Sequence, residues 1–309
     1  MARAKTDHFP LLDYIDGLMD ELRELAPKAA RGESADAVHD ARVATRRIKA
    51  AIDLMEKVVS RKHRKPLLKI TRTLRKRLGS VRDLDVMLAQ LGTMKSPHQA
   101  SAVDWITQTL ARRREKAVAK AAADLPPSKV LSRLGAWWGL RQEILLVRDA
   151  VPSLLAESIH IQLDALVTQA QTLADPHLLR IAAKSLRYTL EMARAQKLSV
   201  HRSVLAHFKR IQDALGRWHD DVVLAERIMA ESAEQMLAHH DAVLQEAALS
   251  LAATLVRRGR RQLGKLSHLW QRDGSALVQQ IRLAFPLTLP AEQPASAGPE
   301  AAEPTIPGF

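Results

Sequence analysis

The chain has 309 residues and a formal net charge of +13, and only 4% of its residues are aromatic. Its abundant Ala, Leu, Arg and Lys and its scarce Gly favour helices over sheets. Because it has no cysteine, disulfides and thiolate metal sites are excluded. No stretch is apolar for long enough to cross a bilayer. We therefore expect a cytoplasmic all-α protein without membrane association, whose partner is acidic.

Apolar residues at helical spacing predict helices along most of the chain. Those before the first interruption cover about 9–25, 33–60, 61–91 and 101–123, and the first is expected to end near Pro27. Pro126 and Pro127 then predict a hinge near 126–128. The pattern resumes at about 130–147, 152–173, 177–191, 200–232, 234–256, 262–270 and 275–284.

The second helix contains the stretch from His39 to Asp53, HDARVATRRIKAAID. At about 100° per residue, four basic residues fall within roughly a quarter of its circumference: His39, Arg42, Arg46 and Lys49. Core packing explains apolar residues at helical spacing, but it does not explain four basic hydrogen-bond donors on one face with no acidic residue among them. Such a stripe repels itself unless a polyanion neutralises it, and the guanidinium fork suits phosphate oxygens.

The pattern recurs from His177 to Glu191, HLLRIAAKSLRYTLE. The same offsets again carry basic residues: His177, Arg180, Lys184 and Arg187. Asp53 and Glu191 match as acids one turn after the last basic residue, where an i,i+4 pair orients that side chain. A solvated basic face is the simpler explanation for one copy, but it does not explain a second copy that keeps the leading His.

Each leading His lies near a predicted helix start. Asp175 and Pro176 match an N-cap and a first helical residue, and Ser34 or Asp36 is expected to cap the first copy. Anions are favoured at that end of a helix, so we expect both His to contact phosphate. A structural His bonded to a local acceptor stays open.

The helices after the two stripes also align, since LGSVRDLDV from Leu78 matches LGRWHDDVV from Leu215. The alignment pairs Gly79 with Gly216, Arg82 with His219, Asp83 with Asp220 and, further upstream, Arg72 with Lys209. We predict one helical domain over 1–285, built from two pseudo-symmetric four-helix halves at about 9–125 and 150–260. Residues 286–309, which contain six Pro and no Lys or Arg, are expected to be disordered.

In the order and spacing of these motifs, the chain resembles the CHAD family, the conserved histidine α-helical domain, over about residues 9–282. The resemblance implies two four-helix halves around a basic central pore that binds inorganic polyphosphate and, in some members, targeting to polyphosphate granules. Carried over by position, it assigns phosphate contact to His39, Arg42, Arg46, Lys49, Arg72, His177, Arg180, Lys184, Arg187 and Lys209. We add Arg75 and Arg82 to these, with Asp53, Asp83, Glu191 and Asp220 as orienting carboxylates. No cofactor, metal site or catalytic residue is expected.

Two other functions stay open. Non-specific nucleic-acid binding needs only phosphate attraction, although Tyr188 is the one aromatic residue in either motif and single-strand binders normally supply stacking platforms. An HD-type metal-dependent phosphohydrolase is suggested by the dipeptides His39-Asp40 and His219-Asp220. Against it, Asp40 is replaced by Leu178 in the second copy, and a stripe of Arg repels a divalent cation.

Overall fold

The computed structural model describes residues 9–94, 96–172, 174–239 and 241–286, and within these residues the secondary structure is helical and contains no strand. This confirms the all-α class. The α-helices are α1 (Pro10–Ala30), α2 (Ala35–Leu54), α3 (Arg61–Leu91), α4 (Ala100–Asp124), α5 (Pro127–Leu134), α6 (Trp137–Leu146), α7 (Val151–Thr172), α8 (Pro176–Ala195), α9 (Arg202–His239) and α10 (Ala242–Ala284). The predicted disordered tail, apart from Pro286, lies outside the described residues.

Capping residues fix the starts of the two motif helices, α2 and α8. Ser34 accepts a hydrogen bond from the backbone N–H of Ala37 at 3.0 Å, just after Gly32 turns the chain with φ +63°. Asp175 accepts from the N–H groups of His177 at 2.8 Å and Leu178 at 3.2 Å. The predicted cap at Asp175 and the predicted first helical residue Pro176 are therefore confirmed.

Successive helices pack against each other in the same order at both ends of the chain. α2 packs between α1 and α3, α8 packs between α7 and α9, and α3 and α9 contact α4 and α10 respectively. The motif helices α2 and α8 also contact each other directly. This contact brings the two basic stripes into one region of the molecule.

Two apolar clusters form the core, and each draws on both ends of the chain. The larger contains buried residues such as Leu12, Ile48 and Leu186, and extends to Phe285 at the end of α10. The smaller joins α3 and α4 to α9 and α10, for example through Leu91, Ile106 and Leu251. A pseudo-symmetric relation between two halves stays a prediction.

The segment after Pro126 folds back onto the first helices. α5 and α6 pack against α1 and α3, and the indole N–H of Trp137 donates to Asp16 at 2.6 Å. Arg141 also donates to Asp16, at 2.9 Å. None of the helices in the described ranges is long and apolar enough to span a membrane.

Several predicted boundaries are wrong: α2 ends at Leu54 and not near residue 60, and the helix expected over 130–147 is divided into α5 and α6. α1 continues to Ala30 because Pro27 lies in its last turn, where Ala29 and Ala30 are buried. The three helices expected between 234 and 284 are instead the end of α9 and one continuous α10. Gly259 is buried where α10 packs against α9, and a Cβ at this position would lie 3.5 Å from Trp218.

Candidate anion-binding site

Two adjoining cavities lie beside the motif helices α2 and α8. The large cavity has a volume of about 540 Å³ and is closed by α3 and α7. The small cavity has a volume of about 190 Å³ and is closed by α3 and α9. Arg46, Arg180 and Lys184 line both cavities; we call these three residues the shared cluster. The two stripes therefore meet at one place.

Most of the residues predicted to bind phosphate line one of these cavities. Besides the shared cluster, the large cavity contains Lys49, Asp53 and Arg75. The small cavity contains His39, Arg42, Arg82, Asp83 and Asp220.

The shared cluster carries positive charge without a carboxylate bonded to it. None of its three side chains forms an ion pair with another described residue, and the Nε of Arg180 is buried without a hydrogen-bond partner there. A buried donor without an acceptor is costly. An anion that enters the cavities would supply the missing acceptors.

The pKa values reflect this excess of cations. Burial, followed by the charges of Arg180 and Arg46, lowers the pKa of Lys184 to about 7. Burial, followed by Arg46, lowers the pKa of Arg42 to about 10 and also lowers the pKa values of Arg180 and Arg75. Burial and like charges therefore both disfavour the charged forms of these side chains.

Arg42 is held in place by the backbone of α3. Its guanidinium donates to the carbonyl oxygen of Arg75 at 2.6 Å. It fits there because position 79 is glycine: a Cβ on Gly79 would lie 2.9 Å from Nη1 of Arg42. The aligned Gly216 has open space around it. Of the two aligned glycines, only Gly79 therefore has a packing role.

The two motif His residues are placed differently. His39 lines the small cavity, and burial, followed by the charge of Arg82, lowers its pKa. His177 instead stacks on His219, with 6.2 Å between ring centroids, and His219 lines the small cavity. The backbone N–H of His177 already donates to Asp175, so it is not free for an anion.

Of the four predicted orienting carboxylates, three lie beside the cavities. Asp53 pairs with Lys49 one turn earlier on α2. Asp220 lies 3.5 Å from Nδ1 of His219 and favours the charged forms of Arg180 and Lys184. Asp83 lines the small cavity and supports the charge of Arg42 in the same way.

Arg187, Glu191 and Lys209 lie elsewhere. They line a third cavity of about 660 Å³, which we call the side cavity, together with Arg47 and residues of α1 and α9. There Glu191 accepts from Arg187 at 2.7 Å and from Arg47 at 2.9 Å, an arrangement that joins α8 to α2. Arg72 is exposed and lines none of the three cavities.

Sequence reasoning missed the wall that α7 contributes to the large cavity. Leu154, Ser158 and Ile161 line it, and no motif marks them. Tyr188 also lines this cavity. It lies four residues after Lys184, so the helical period alone could have placed it on the same face of α8.

The HD dipeptides do not assemble into a metal-ligand set in the described ranges, where no group of three or more His, Asp or Glu side chains is placed to hold a metal ion. Asp221 is buried and accepts hydrogen bonds from Gln90 at 2.5 Å and from Arg258 at 2.8 Å. His219 and Asp220 contact each other.

Comparison with known proteins identifies the fold. The family model of the CHAD domain matches residues 13–229. The crystal structure of the CHAD domain from the plant Ricinus communis is similar over 90% of each chain, with a TM-score of 0.60 at 20% identity. PptA from Streptomyces chartreusis matches 83% of this chain and 99% of its own, with a TM-score of 0.47 at 16% identity. No curated protein sequence matches the chain.

Proposed function

We propose that this chain, which belongs to the CHAD domain family, binds inorganic polyphosphate in the two cavities beside α2 and α8. One observation carries the proposal: Arg46, Arg180 and Lys184 line both cavities without an ion-pair partner among the described residues. Burial, followed by repulsion from neighbouring cations, lowers the pKa values of Arg180 and Lys184, and both causes suit a site that binds a polyanion. A linear chain of phosphates supplies an acceptor for each cation in turn.

Nucleic acid is the main alternative, and the lining of the cavities favours polyphosphate over it. Tyr188 in the large cavity is the sole aromatic ring among the residues that line the two cavities, apart from the His residues. A single strand is normally bound by several stacked bases, whereas polyphosphate has charge and no bases. A duplex is too wide to enter cavities of about 540 and 190 Å³.

A comparison of affinities distinguishes polyphosphate binding from nucleic-acid binding. The purified protein should bind long-chain polyphosphate more tightly than single- or double-stranded DNA of equal charge at physiological salt. The logarithm of its affinity should fall linearly with the logarithm of salt concentration, because each neutralised phosphate releases counterions. Equal or tighter binding of DNA would favour the nucleic-acid alternative.

We further propose that the protein is a binding module and not a hydrolase. The buried Asp221 is bonded to Gln90 and Arg258, and cations surround the cavities. Added Mg²⁺ or Mn²⁺ should therefore leave the length distribution of polyphosphate unchanged on a gel. Loss of long chains that depends on His219 and Asp220 would support the HD-phosphohydrolase alternative instead.

We also propose that the protein is cytoplasmic, as its lack of cysteine suggests, and that it associates with polyphosphate granules, as the resemblance implies for some CHAD members. The protein should co-sediment with polyphosphate particles, and Arg46→Ala with Arg180→Ala should abolish this. Sedimentation that survives the double substitution would assign granule association to another surface.

A further inference from the structure

Lys184 differs from the other lysines that line the large cavity. Lys49 pairs with Asp53, and Lys57 donates to Glu157 at 2.6 Å; their side chains are 40% and 68% exposed. Lys184 is only partly exposed, faces both cavities, and forms no hydrogen bond or ion pair with another described residue. Its amine is therefore open to whatever enters the cavities.

The charges that face Lys184 are mostly positive. Arg180 precedes it by one turn on α8, Arg46 and Arg42 face it from α2, and Asp220 on α9 is the acid that supports its charge. With burial as the largest cause, these groups lower the pKa of Lys184 to about 7. Roughly half of the amine is then neutral at pH 7, and a lysine activated by burial and by neighbouring cations is a nucleophile.

The large cavity also has an apolar wall, which a chain of phosphates does not use. Ile161 on α7 and Ile181 on α8 line it and are 61% and 51% exposed. Leu154 adds to the same wall. Exposed aliphatic groups in the same cavity as clustered cations suit a small ligand with an apolar group at one end and a phosphate at the other.

We propose that Nζ of Lys184 is a covalent modification site that takes the acyl group of small acyl phosphates, of which acetyl phosphate is the simplest. The guanidinium forks of Arg46 and Arg180 bind the phosphate. The aliphatic wall accommodates the acyl group, and the carbonyl carbon between the two ends is presented to the amine.

The reaction is an acyl transfer that needs no other reactant. The lone pair of the neutral amine attacks the carbonyl carbon and forms a C–N bond. The bond from that carbon to the phosphate oxygen breaks, and its electron pair leaves with the phosphate. One amine proton goes to the departing phosphate, so the products are acyl-lysine and hydrogen phosphate. Arg46 and Arg180 stabilise the charge that grows on the leaving group.

The acylated side chain of Lys184 no longer takes up a proton, so the shared cluster loses one cation. Acylation should therefore weaken polyphosphate binding, a consequence that rests on the proposed function. The modification itself does not rest on it, because it needs only the amine, the two Arg residues and the apolar wall.

Timed mass spectrometry of the full-length protein with acetyl phosphate near pH 7 tests the site. Lys184 should be acetylated about tenfold faster than Lys49 and Lys57, which are paired with the carboxylates of Asp53 and Glu157. A rate at Lys184 equal to or below theirs would overturn the proposal. In Lys184→Arg, the labelling of Lys49 and Lys57 should be unchanged.

The pH profile and a neutral acyl donor sharpen the test. The labelling rate of Lys184 should level off above about pH 7, where most of its amine is already neutral. N-acetylimidazole lacks a phosphate, so it should show a smaller preference for Lys184. A profile at Lys184 parallel to that at Lys49, or an equal preference with both donors, would contradict the mechanism.

Protection by polyphosphate separates this inference from the proposed function. Labelling of Lys184 that long-chain polyphosphate blocks would support both. Labelling that polyphosphate does not affect would support the modification and contradict the binding site. Polyphosphate binding without selective labelling would contradict the modification alone.

Discussion

Helices α2 and α8 carry the same spacing of basic residues but present it differently. On α2, Arg42, Arg46 and Lys49 each line the large cavity, the small cavity or both. On α8, Arg180 and Lys184 do so, whereas Arg187 turns into the side cavity. There its guanidinium donates to Glu191 at 2.7 Å and to Gln212 at 2.5 Å.

The difference shows what spacing determines and what it leaves open. Spacing fixes the angle of each side chain around its own helix, but the neighbouring helices decide which angles open onto a cavity. Arg187, at the end of the second stripe, is bonded to Gln212 on α9 and to Glu191, which also accepts from Arg47 on α2. Tyr188, one position later, lines the large cavity instead.

The largest effect is expected where the two copies meet. Arg46→Ala with Arg180→Ala should lower the affinity for long-chain polyphosphate by about 100-fold, since hydrogen bonds to charged groups contribute about 1.5 kcal/mol or more each. The melting temperature should hold or rise, because mutual repulsion is removed. Isothermal titration calorimetry and thermal unfolding measure the two quantities.

Arg260→Ala with Arg261→Ala is the matched control for that double substitution. It makes the same change in net charge at exposed positions on α10 that line none of the three cavities described above. It should lower the affinity far less. A comparable loss would mean that overall charge, and not the shared cluster, determines binding.

The next effect follows from a position inside the shared cluster where the copies differ in chemistry: Arg46 in α2 corresponds to Lys184 in α8. The pKa of Lys184 is about 7 in the empty site, and a bound polyanion raises it. Affinity should therefore be highest below pH 7 and should fall by up to about tenfold per unit as pH rises above 7. Lys184→Arg places arginine at both aligned positions, so it should flatten the decline of affinity above pH 7.

His39 should add a second pH-dependent change in affinity, at lower pH. The pKa of His39 is lowered by burial and by Arg82. A bound phosphate favours its charged form, so affinity should rise again as pH falls below about 6.5. His39→Gln should remove this rise and leave the decline above pH 7. Titration of binding from pH 5.5 to about pH 9 distinguishes the two groups; a flat profile in the wild type would leave both outside the site.

A smaller effect separates the two aligned glycines. Gly79→Ala should displace the guanidinium of Arg42, because the new Cβ would lie 2.9 Å from Nη1. The affinity should fall about fivefold, which is close to the loss of one hydrogen bond. Gly216→Ala meets no neighbour within 4 Å, so it should leave affinity nearly unchanged and stabilise α9 by about 0.5–1 kcal/mol.

The smallest effect tests the ends of the stripes. Lys49→Ala should weaken polyphosphate binding about threefold, as expected for one partly exposed charge. Arg187→Ala should leave binding unchanged and lower the melting temperature, because Glu191 and Gln212 lose a partner between α8 and α9. If Arg187→Ala weakened binding as much as Lys49→Ala, the side cavity would belong to the site.

Much of this site was predictable from the sequence because its parts are local. The angular clustering of His39, Arg42 and Arg46 follows from the helical period, and the cap at Asp175 follows from residue chemistry. The sequence also indicated that the two stripes belong together, since the motif repeats. Direct contact between α2 and α8 supplies the physical reason.

What the sequence could not supply depends on packing between distant helices. The apolar wall from Leu154 and Ile161 is set by how α7 lies against α8, and ordinary core spacing does not distinguish a cavity wall from a buried face. The separate placement of Arg187 depends on its hydrogen bonds to Glu191 and Gln212. The continuity of α10 past Gly259 likewise depends on contact with α9.

The central claim is that the two stripes form one binding site, and chain length tests it most directly. Calorimetry should compare tripolyphosphate with long-chain polyphosphate for wild type, for Arg42→Ala with Arg46→Ala, and for Arg180→Ala with Lys184→Ala. A long chain that engages both stripes gains from effective concentration, so each double substitution should reduce the affinity for long chains by a larger factor than for tripolyphosphate. The same factor at both lengths would show two separate surfaces and contradict the account.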